Sequence, residues 1–448
     1  MQILRSLLLL LLLAYSANAF ADELKRRGTL GVKFAPMPEA VKTQPGLVAG
    51  QGIYIADVQP GGSLQTADVK AGDVIVKIEN AEVENANQLA VLMQKYYGGD
   101  KFQMTVLRDG KTLVKTIVLQ ARPFETSPDF DIVYDSIAVD GAKRRVIVTK
   151  PKTVGKSPAV LLVGGIGCYS VDNLSPNHSY RQILYPLTLK GFTTMRVEKS
   201  GMGDSEGEPC QSPQVDFQIE LKGYAAGLKK LKGYEFVDAE QIFIFGHSIG
   251  GLSAPLVAAD NPVKGIIVAE TLGTNWFEYS FDNLRRQTLL KGTPFDETEK
   301  SLQTYGTCAH RFYIEKQTPE QIEKAAPQCV GYLNAPASYT YMQQLADINL
   351  AATWKKIKSP VLIVYGTSDY LTDAEEGEYL TNMINSFQPG KAEFVKINGM
   401  DHWFWRAASQ RASQERSLGK QPPGEFHTGF LDEMQRWLNG ISKKEVGK

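Results

Sequence analysis

The sequence predicts an α/β protein in which a large domain built on a mostly parallel sheet follows a small, mostly-β unit. Three observations carry the prediction. From about residue 130 onward, short apolar runs (AVLLVGG, FTTMRVEK, QIFIFGH, GIIVAE, PVLIVYG, AEFVKING) alternate with helical stretches such as QVDFQIELKGYAAGLKKLKG, the pattern of strands covered on both faces. Residues 28–122 instead carry short strands that alternate apolar with polar, broken by turn signals. The interval 271–359, between GIIVAE and PVLIVYG, is rich in aromatics and too long for one crossover. It reads as a helical cap over the carboxyl edge of the sheet, where ligands bind in open α/β sheets.

The elements follow in chain order. Residues 1–21 read as a signal peptide: Arg5 is the basic start, Leu7 to Leu13 the apolar run, and Ala17/Ala19 or Ala19/Ala21 fit a cleavage site. The apolar run is shorter than the roughly 20 residues that span a bilayer as a helix. No cysteine follows it to take a lipid, and no later stretch is apolar enough to insert stably in a membrane. The expectation is an exported protein, periplasmic or secreted. In that setting an even count of four cysteines suggests disulfides, and the simplest of the three pairings joins Cys168 to Cys210 and Cys308 to Cys329. Lys plus Arg and Asp plus Glu both total 49, so no net charge invites nucleic acid or an anionic membrane.

In the first unit, TLGVKF, GIYIADV and DVIVKI are strands, NANQLAVLMQKYY is a helix, and FQMTVLRDGKTLVKTIVL is a hairpin turning at Asp109-Gly110. VQPGGSLQTADVKAGDVIVKIENAEV, from Val58 to Val83, resembles a PDZ domain of the bacterial, protease-associated kind. The resemblance implies that TLGV is a carboxylate-binding loop, with the N–H groups of Leu30, Gly31 and Val32 receiving a peptide C-terminus. An apolar peptide side chain would pack beside Leu89 and Leu92. Such a unit serves equally as a spacer or a dimerisation surface. Residues 123–129, polar and proline-bearing, read as a linker to a domain spanning 130–443.

That domain opens with a hairpin, VYDSIAV-DG-AKRRVIVT, and contains Gly-x-Ser-x-Gly twice. A serine made into a nucleophile by a sharp strand-to-helix turn needs a strand before it and a helix after it. IFIF-GHSIGG-LSAPLVAA, around Ser248, meets both conditions; GDSEG, from Gly203 to Gly207, sits between loops. Serine also needs a base. Of the five histidines, His402 in KINGMDHWFW lies just past a buried-type strand; His247 adjoins the serine and must point elsewhere, and His178, His310 and His427 lie in other segments. Asp369 in YGTSD follows another such strand and is the expected acid, with Asp373 and Asp401 as competitors.

GHSIGG, YGTSD and GMDHW, in that order and each after a suitable strand, together with the GG-x-G loop, resemble an α/β-hydrolase of the serine esterase, lipase and peptidase group. The resemblance implies the triad Ser248, Asp369 and His402, and an oxyanion hole made of the Ile249 N–H and a second donor in VGGIGCYS, Ile166 or alternatively Gly165. Gly164 and Gly165 replace the common His-Gly opening of that loop. Because the third and fourth strands are neighbours in this fold, a Cys168–Cys210 bridge would pin the loop to the next one. The expected activity is cleavage of carboxylic esters through an acyl-enzyme. The alternatives are a peptidase or amidase fed by the PDZ-like unit, an acyltransferase, and a non-catalytic peptide-binding protein. No metal or organic cofactor is expected, since no Cys/His spacing matches a zinc site. Trp276, Phe277, Tyr279 and Phe281 in the cap form either its own core or an apolar pocket.

Overall fold

The structure, a computed structural model, describes residues 24–48, 50–333, 335–420 and 424–443; the signal-peptide reading of 1–21 lies outside them. The chain divides into two compact units, 1–124 and 125–448.

The first unit carries β1 (Gly28–Thr29), β2 (Val32–Phe34), α1 (Glu39–Lys42), β3 (Ile53–Val58), α2 (Ser63–Thr66), β4 (Val74–Ile78), β5 (Ala81–Glu82), α3 (Ala86–Met93), β6 (Lys101–Arg108), β7 (Lys111–Val118) and β8 (Gln120–Ala121). Its main sheet runs β2-β3-β4-β6-β7 with antiparallel pairing, and β2 is an edge. The β6–β7 hairpin turns where expected, with Asp109 at φ 50° and Gly110 at 72°, the left-handed pair that a two-residue I′ turn requires. Leu30, Ile55, Leu64, Ile75, Leu89, Met104 and Ile117 form its core.

The second unit begins with β9 (Phe130–Val139) and β10 (Ala142–Pro151), then β11 (Ser157–Val163), α4 (Ser179–Leu189), β12 (Thr193–Val197), α5 (Phe217–Lys232), β13 (Val237–His247), α6 (Gly250–Asp260) and β14 (Gly265–Ala269). After the cap come β15 (Val361–Gly366), α12 (Ala374–Phe387), β16 (Ala392–Ile397), α13 (Gln410–Ser417) and α14 (Thr428–Lys443). The eight strands lie in the order β9-β10-β12-β11-β13-β14-β15-β16. The β9–β10 and β10–β12 pairs are antiparallel and the other five parallel, so this is an α/β-hydrolase sheet. The central stretches of the parallel strands, 159–163 of β11, 242–245 of β13, 265–269 of β14 and 361–364 of β15, are buried and carry no charged side chain because helices cover both faces, which splits the core into one cluster on each side.

Between Ala269 and Val361 the chain is helical: α7 (Trp276–Leu290), α8 (Phe295–Ala309), a π turn (His310–Ile314), α9 (Pro319–Ala325), a 3-10 turn (Pro327–Tyr332), α10 (Tyr339–Ala346) and α11 (Leu350–Trp354). This is the expected cap. Disulfides join Cys168 to Cys210 and Cys308 to Cys329. The first ties the loop after β11 to the loop after its neighbour β12; the second ties α8 to the 3-10 turn. The polar stretch after residue 122 divides between the units: Arg26 stacks on Phe124, while Glu125 makes a two-pronged, buried ion pair with Arg196 of β12. No described helix is long and apolar enough to cross a membrane.

Candidate active site

β13 ends at His247 and α6 starts at Gly250, so Ser248 sits in the turn between strand and helix, with φ +56°. A non-glycine residue in that conformation costs about 1–3 kcal/mol and persists only where its surroundings fix it. Here the Ser248 N–H donates to the Ala269 carbonyl at 2.9 Å, and the Thr271 hydroxyl donates to the Ser248 carbonyl at 2.8 Å. The flanking glycines serve close approach. A methyl group on Gly246 would lie 2.4 Å from the Gly250 carbonyl oxygen, and one on Gly250 would lie 2.0 Å from that of Val163. GDSEG has another role: Ser205 is buried, its hydroxyl accepting from the Arg145 N–H at 3.0 Å, and Asp204 pairs with Arg145 at 3.3 Å.

The loop after β16 brings His402 to the same place. Ser248, Ile249, Ile166 and His402 line one cavity of about 390 Å³ beneath the cap. The His402 Nδ1 lies 2.8 Å from Asp369 Oδ2, both side chains buried. Asp369 also accepts from the Leu371 N–H at 2.7 Å and the Thr372 hydroxyl at 2.6 Å. Burial alone would raise its carboxyl, but the His402 charge and hydrogen bonds from His402, Glu270 and Thr372 hold it below the ordinary value. The competing acids are engaged elsewhere. Asp373 caps α12 and pairs with Arg286. Asp401 braces the histidine loop, accepting from the N–H groups of Trp403 and Trp405 and from Arg416.

The other histidines stand outside the cavity lining. His178 caps α4, His310 pairs with Glu315, and the His427 Nε2 lies 3.1 Å from the Asn398 carbonyl. His247 is buried, its Nδ1 2.7 Å from the Tyr180 hydroxyl and its Nε2 2.8 Å from the His402 carbonyl. Burial and the neighbouring His402 push it down to about 3, so it is neutral, and a neutral ring can donate from Nε2 while accepting at Nδ1.

Of the two oxyanion-loop alternatives, Gly165 is committed, because its N–H donates to the Tyr180 hydroxyl at 3.1 Å. The N–H groups of Ile166 and Ile249 have no hydrogen-bond partner among the described residues. On the cap side the aromatics Trp276, Tyr279, Tyr305, Phe312, Tyr313 and Tyr332 line the cavity, as do the polar Asn283, Gln287 and Thr288 of α7 and Lys291 just past its end. Trp276 and Tyr279 therefore line the cavity, whereas Phe277 and Phe281 pack edge-on to each other outside its lining.

The profile of the serine aminopeptidase S33 family matches residues 175–405, more than half of the chain and all three of these positions. This chain belongs to that family. A PDZ domain precedes its hydrolase domain, matched over residues 28–119. Among curated relatives, the S33 chain is 23% identical over 303 residues to Esterase EstD of Thermotoga maritima, covering 67% of this chain and 66% of that one. Through the PDZ part it is 31% identical over 96 residues to a probable periplasmic serine endoprotease, DegP-like, of Halomonas elongata, 20% of each chain. It is 30% identical over 89 residues to the magnetosome formation protease MamE of Paramagnetospirillum magneticum, 20% of this chain and 12% of that one. The S33 chain thus spans just under two thirds of the esterase and a fifth or less of these proteases. Among solved structures, Est1E of Butyrivibrio proteoclasticus with ferulic acid superposes with a TM-score of 0.43 at 18% identity, over 70% of this chain and all of that one.

Sequence reasoning missed three residues around the S33 site. Tyr180 links Gly165 to His247. Glu270, at φ +50° directly after β14, is fully buried and accepts from the Gly366 N–H at 2.7 Å. Burial and the adjacent Asp369 charge raise its carboxyl far above the ordinary range, so it keeps its proton. Lys199, buried just beyond β12, reaches the Gly165 carbonyl. Glu270 and Lys199 were findable in principle as charged residues ending buried strands at the edge that carries Ser248; Tyr180 left no signal in its helix.

In the PDZ domain, Leu30, Gly31 and Val32 sit where β1 gives way to the edge strand β2. Gly31 has φ +70°, and its carbonyl and that of Leu30 accept from Gln59 and Leu64. The Leu30 and Gly31 N–H groups have no partner among the described residues. Leu89 and Leu92 of α3 pack in the same apolar cluster as Leu30 and Val32.

Proposed function

We propose that this protein is an exported, periplasmic or secreted serine hydrolase that cleaves carboxylic esters through an acyl-enzyme. The observation that carries this reading is the shared cavity of Ser248 and His402, with the His402 Nδ1 held by Asp369 at 2.8 Å. His402 takes the Ser248 proton onto Nε2 while Asp369 fixes the tautomer and steadies the imidazolium. The Ser248 oxygen attacks the acyl carbonyl, and the N–H groups of Ile249 and Ile166 receive the oxyanion. His402 then protonates the leaving alcohol, and water releases the acyl group by the same steps. The two disulfides suit an oxidising compartment.

Cleavage of peptides remains the second reading, favoured by the attached PDZ domain and its open edge strand β2. The aminopeptidase form of it is disfavoured: binding a free α-ammonium calls for a carboxylate, and the described cavity lining holds Lys291 but no Asp or Glu. The deciding experiment compares the mature protein with Ser248→Ala on p-nitrophenyl esters of increasing acyl length and on aminoacyl and dipeptidyl p-nitroanilides. Ester turnover abolished in the variant supports the esterase; anilide turnover exceeding ester turnover overturns it in favour of the peptidase. No turnover of either leaves a binding protein.

A further inference from the structure

Lys199 is a buried lysine, and its surroundings explain more than its burial. Its ammonium pairs with Glu220 at 3.1 Å, which balances the charge. It also donates to the Gly165 carbonyl at 2.7 Å. The same oxygen accepts from the Tyr169 hydroxyl at 3.0 Å, and the Tyr169 ring lies under the ammonium with its centroid 4.8 Å from Nζ. That carbonyl belongs to the peptide group whose N–H is that of Ile166. No described peptide bond is cis, and a trans peptide points its C=O and N–H in opposite directions. Anchoring the oxygen on Lys199 and Tyr169 therefore turns the Ile166 N–H away from them, on the side where Ile166 lines the cavity with Ser248. Gly165 cannot substitute, since its N–H is held by Tyr180. A charged donor on a carbonyl also draws electron density from the N–H of the same peptide, strengthening it as a donor, as in any chain of polarised hydrogen bonds.

We infer that Lys199 is a positioning residue for the oxyanion hole, its ammonium orienting and polarising the Gly165–Ile166 peptide with help from Tyr169. The inference rests on the hydrolase reading above. Glu220 extends the link to the cap, because it accepts from the Tyr341 hydroxyl of α10 at 3.1 Å.

The test uses the full mature chain, with Lys199→Met/Glu220→Gln, which removes both charges together, and Tyr169→Phe, which removes the second donor without touching a charge. Each is assayed for kcat and KM on a p-nitrophenyl ester, for inhibition by an alkyl boronic acid, and for labelling by a fluorophosphonate. The boronate forms a tetrahedral adduct on serine that places an oxygen in the oxyanion hole. The expected result for the double variant is kcat lowered about 10- to 100-fold, less than the 10²–10³ of deleting a donor outright, with KM within about twofold. The boronate inhibition constant should rise in step with the loss in kcat/KM, and Tyr169→Phe should move both in the same direction by less. Wild-type kcat and boronate affinity in both variants would overturn the assignment. So would misfolding of the double variant alongside a wild-type Tyr169→Phe, since Lys199 would then be structural only. A wild-type protein that neither turns over esters nor reacts with the fluorophosphonate would instead remove the hydrolase reading itself.

Discussion

Replacing Gly165 by alanine separates stability from activity at one atom. Gly165 is not among the residues with positive φ, so alanine meets no backbone penalty there. The added methyl would lie 3.3 Å from Ser248 Cβ, 3.6 Å from the His247 carbonyl oxygen and 3.7 Å from Ser248 Oγ. Only the first contact is tight, and Ser248 Cβ must give by a few tenths of an ångström to admit it. Restricting the unfolded chain returns about 0.4–1 kcal/mol, so net stability should change by less than about 1 kcal/mol. Activity should not survive so well. The methyl lies 3.7 Å from Ser248 Oγ, in the space that the proposed mechanism gives to the acyl carbonyl on its way to the Ile166 N–H. Losing one oxyanion donor costs about 2.7–4 kcal/mol, or about 10²–10³ in kcat. The assay is p-nitrophenyl ester turnover under saturating substrate, with thermal unfolding on the same sample. A folded Gly165→Ala protein turning over within threefold of wild type would refute the placement of the oxyanion between Gly165, Ile166 and Ser248.

Three further outcomes follow from other parts of the molecule. Glu270 keeps its proton when folded but releases it near 4.5 when unfolded, so above that pH the unfolded state binds fewer protons and stability falls by about 1.4 kcal/mol per pH unit until the folded group itself titrates. Glu270→Gln should remove this slope, its melting advantage over wild type widening from pH 4 to pH 8; parallel melting curves would contradict it. Replacing a disulfide pair by serines should cost about 4 kcal/mol for the bridge closing 42 residues and about 3 kcal/mol for the one closing 21, as upper values from chain entropy, read by denaturant unfolding. A peptide ending in an apolar residue should bind the PDZ domain of the full chain, and amidating its C-terminus should weaken binding at least about tenfold by fluorescence anisotropy, because a nest of N–H groups recognises charge; equal binding of both forms would exclude the Leu30–Val32 loop as the carboxylate site.

The sequence alone determined what local chemistry determines. Strands buried on both faces leave uninterrupted apolar runs, and a sharp strand-to-helix turn must have glycines two residues to either side, so the sheet, its cap and the turn at Ser248 were legible, as were the turns at Asp109-Gly110 and Asp140-Gly141. Asp369 and His402 could be placed near one another because each follows a strand that a parallel sheet must end at the same edge. What the tertiary structure decided are the relations between those strand ends. Asp373 and Asp401 carry the same charge as Asp369 and lie four residues or one residue from the expected partners, and only packing assigns one to a helix cap and the other to a loop brace. The engagement of the Gly165 N–H depends on a hydroxyl from α4, and the proton on Glu270 depends on its burial and on its meeting Asp369 from the next strand. Hydrogen bonds and charges act over a few ångströms in space, and residues 15 to 155 positions apart meet in this site for reasons that no local pattern records.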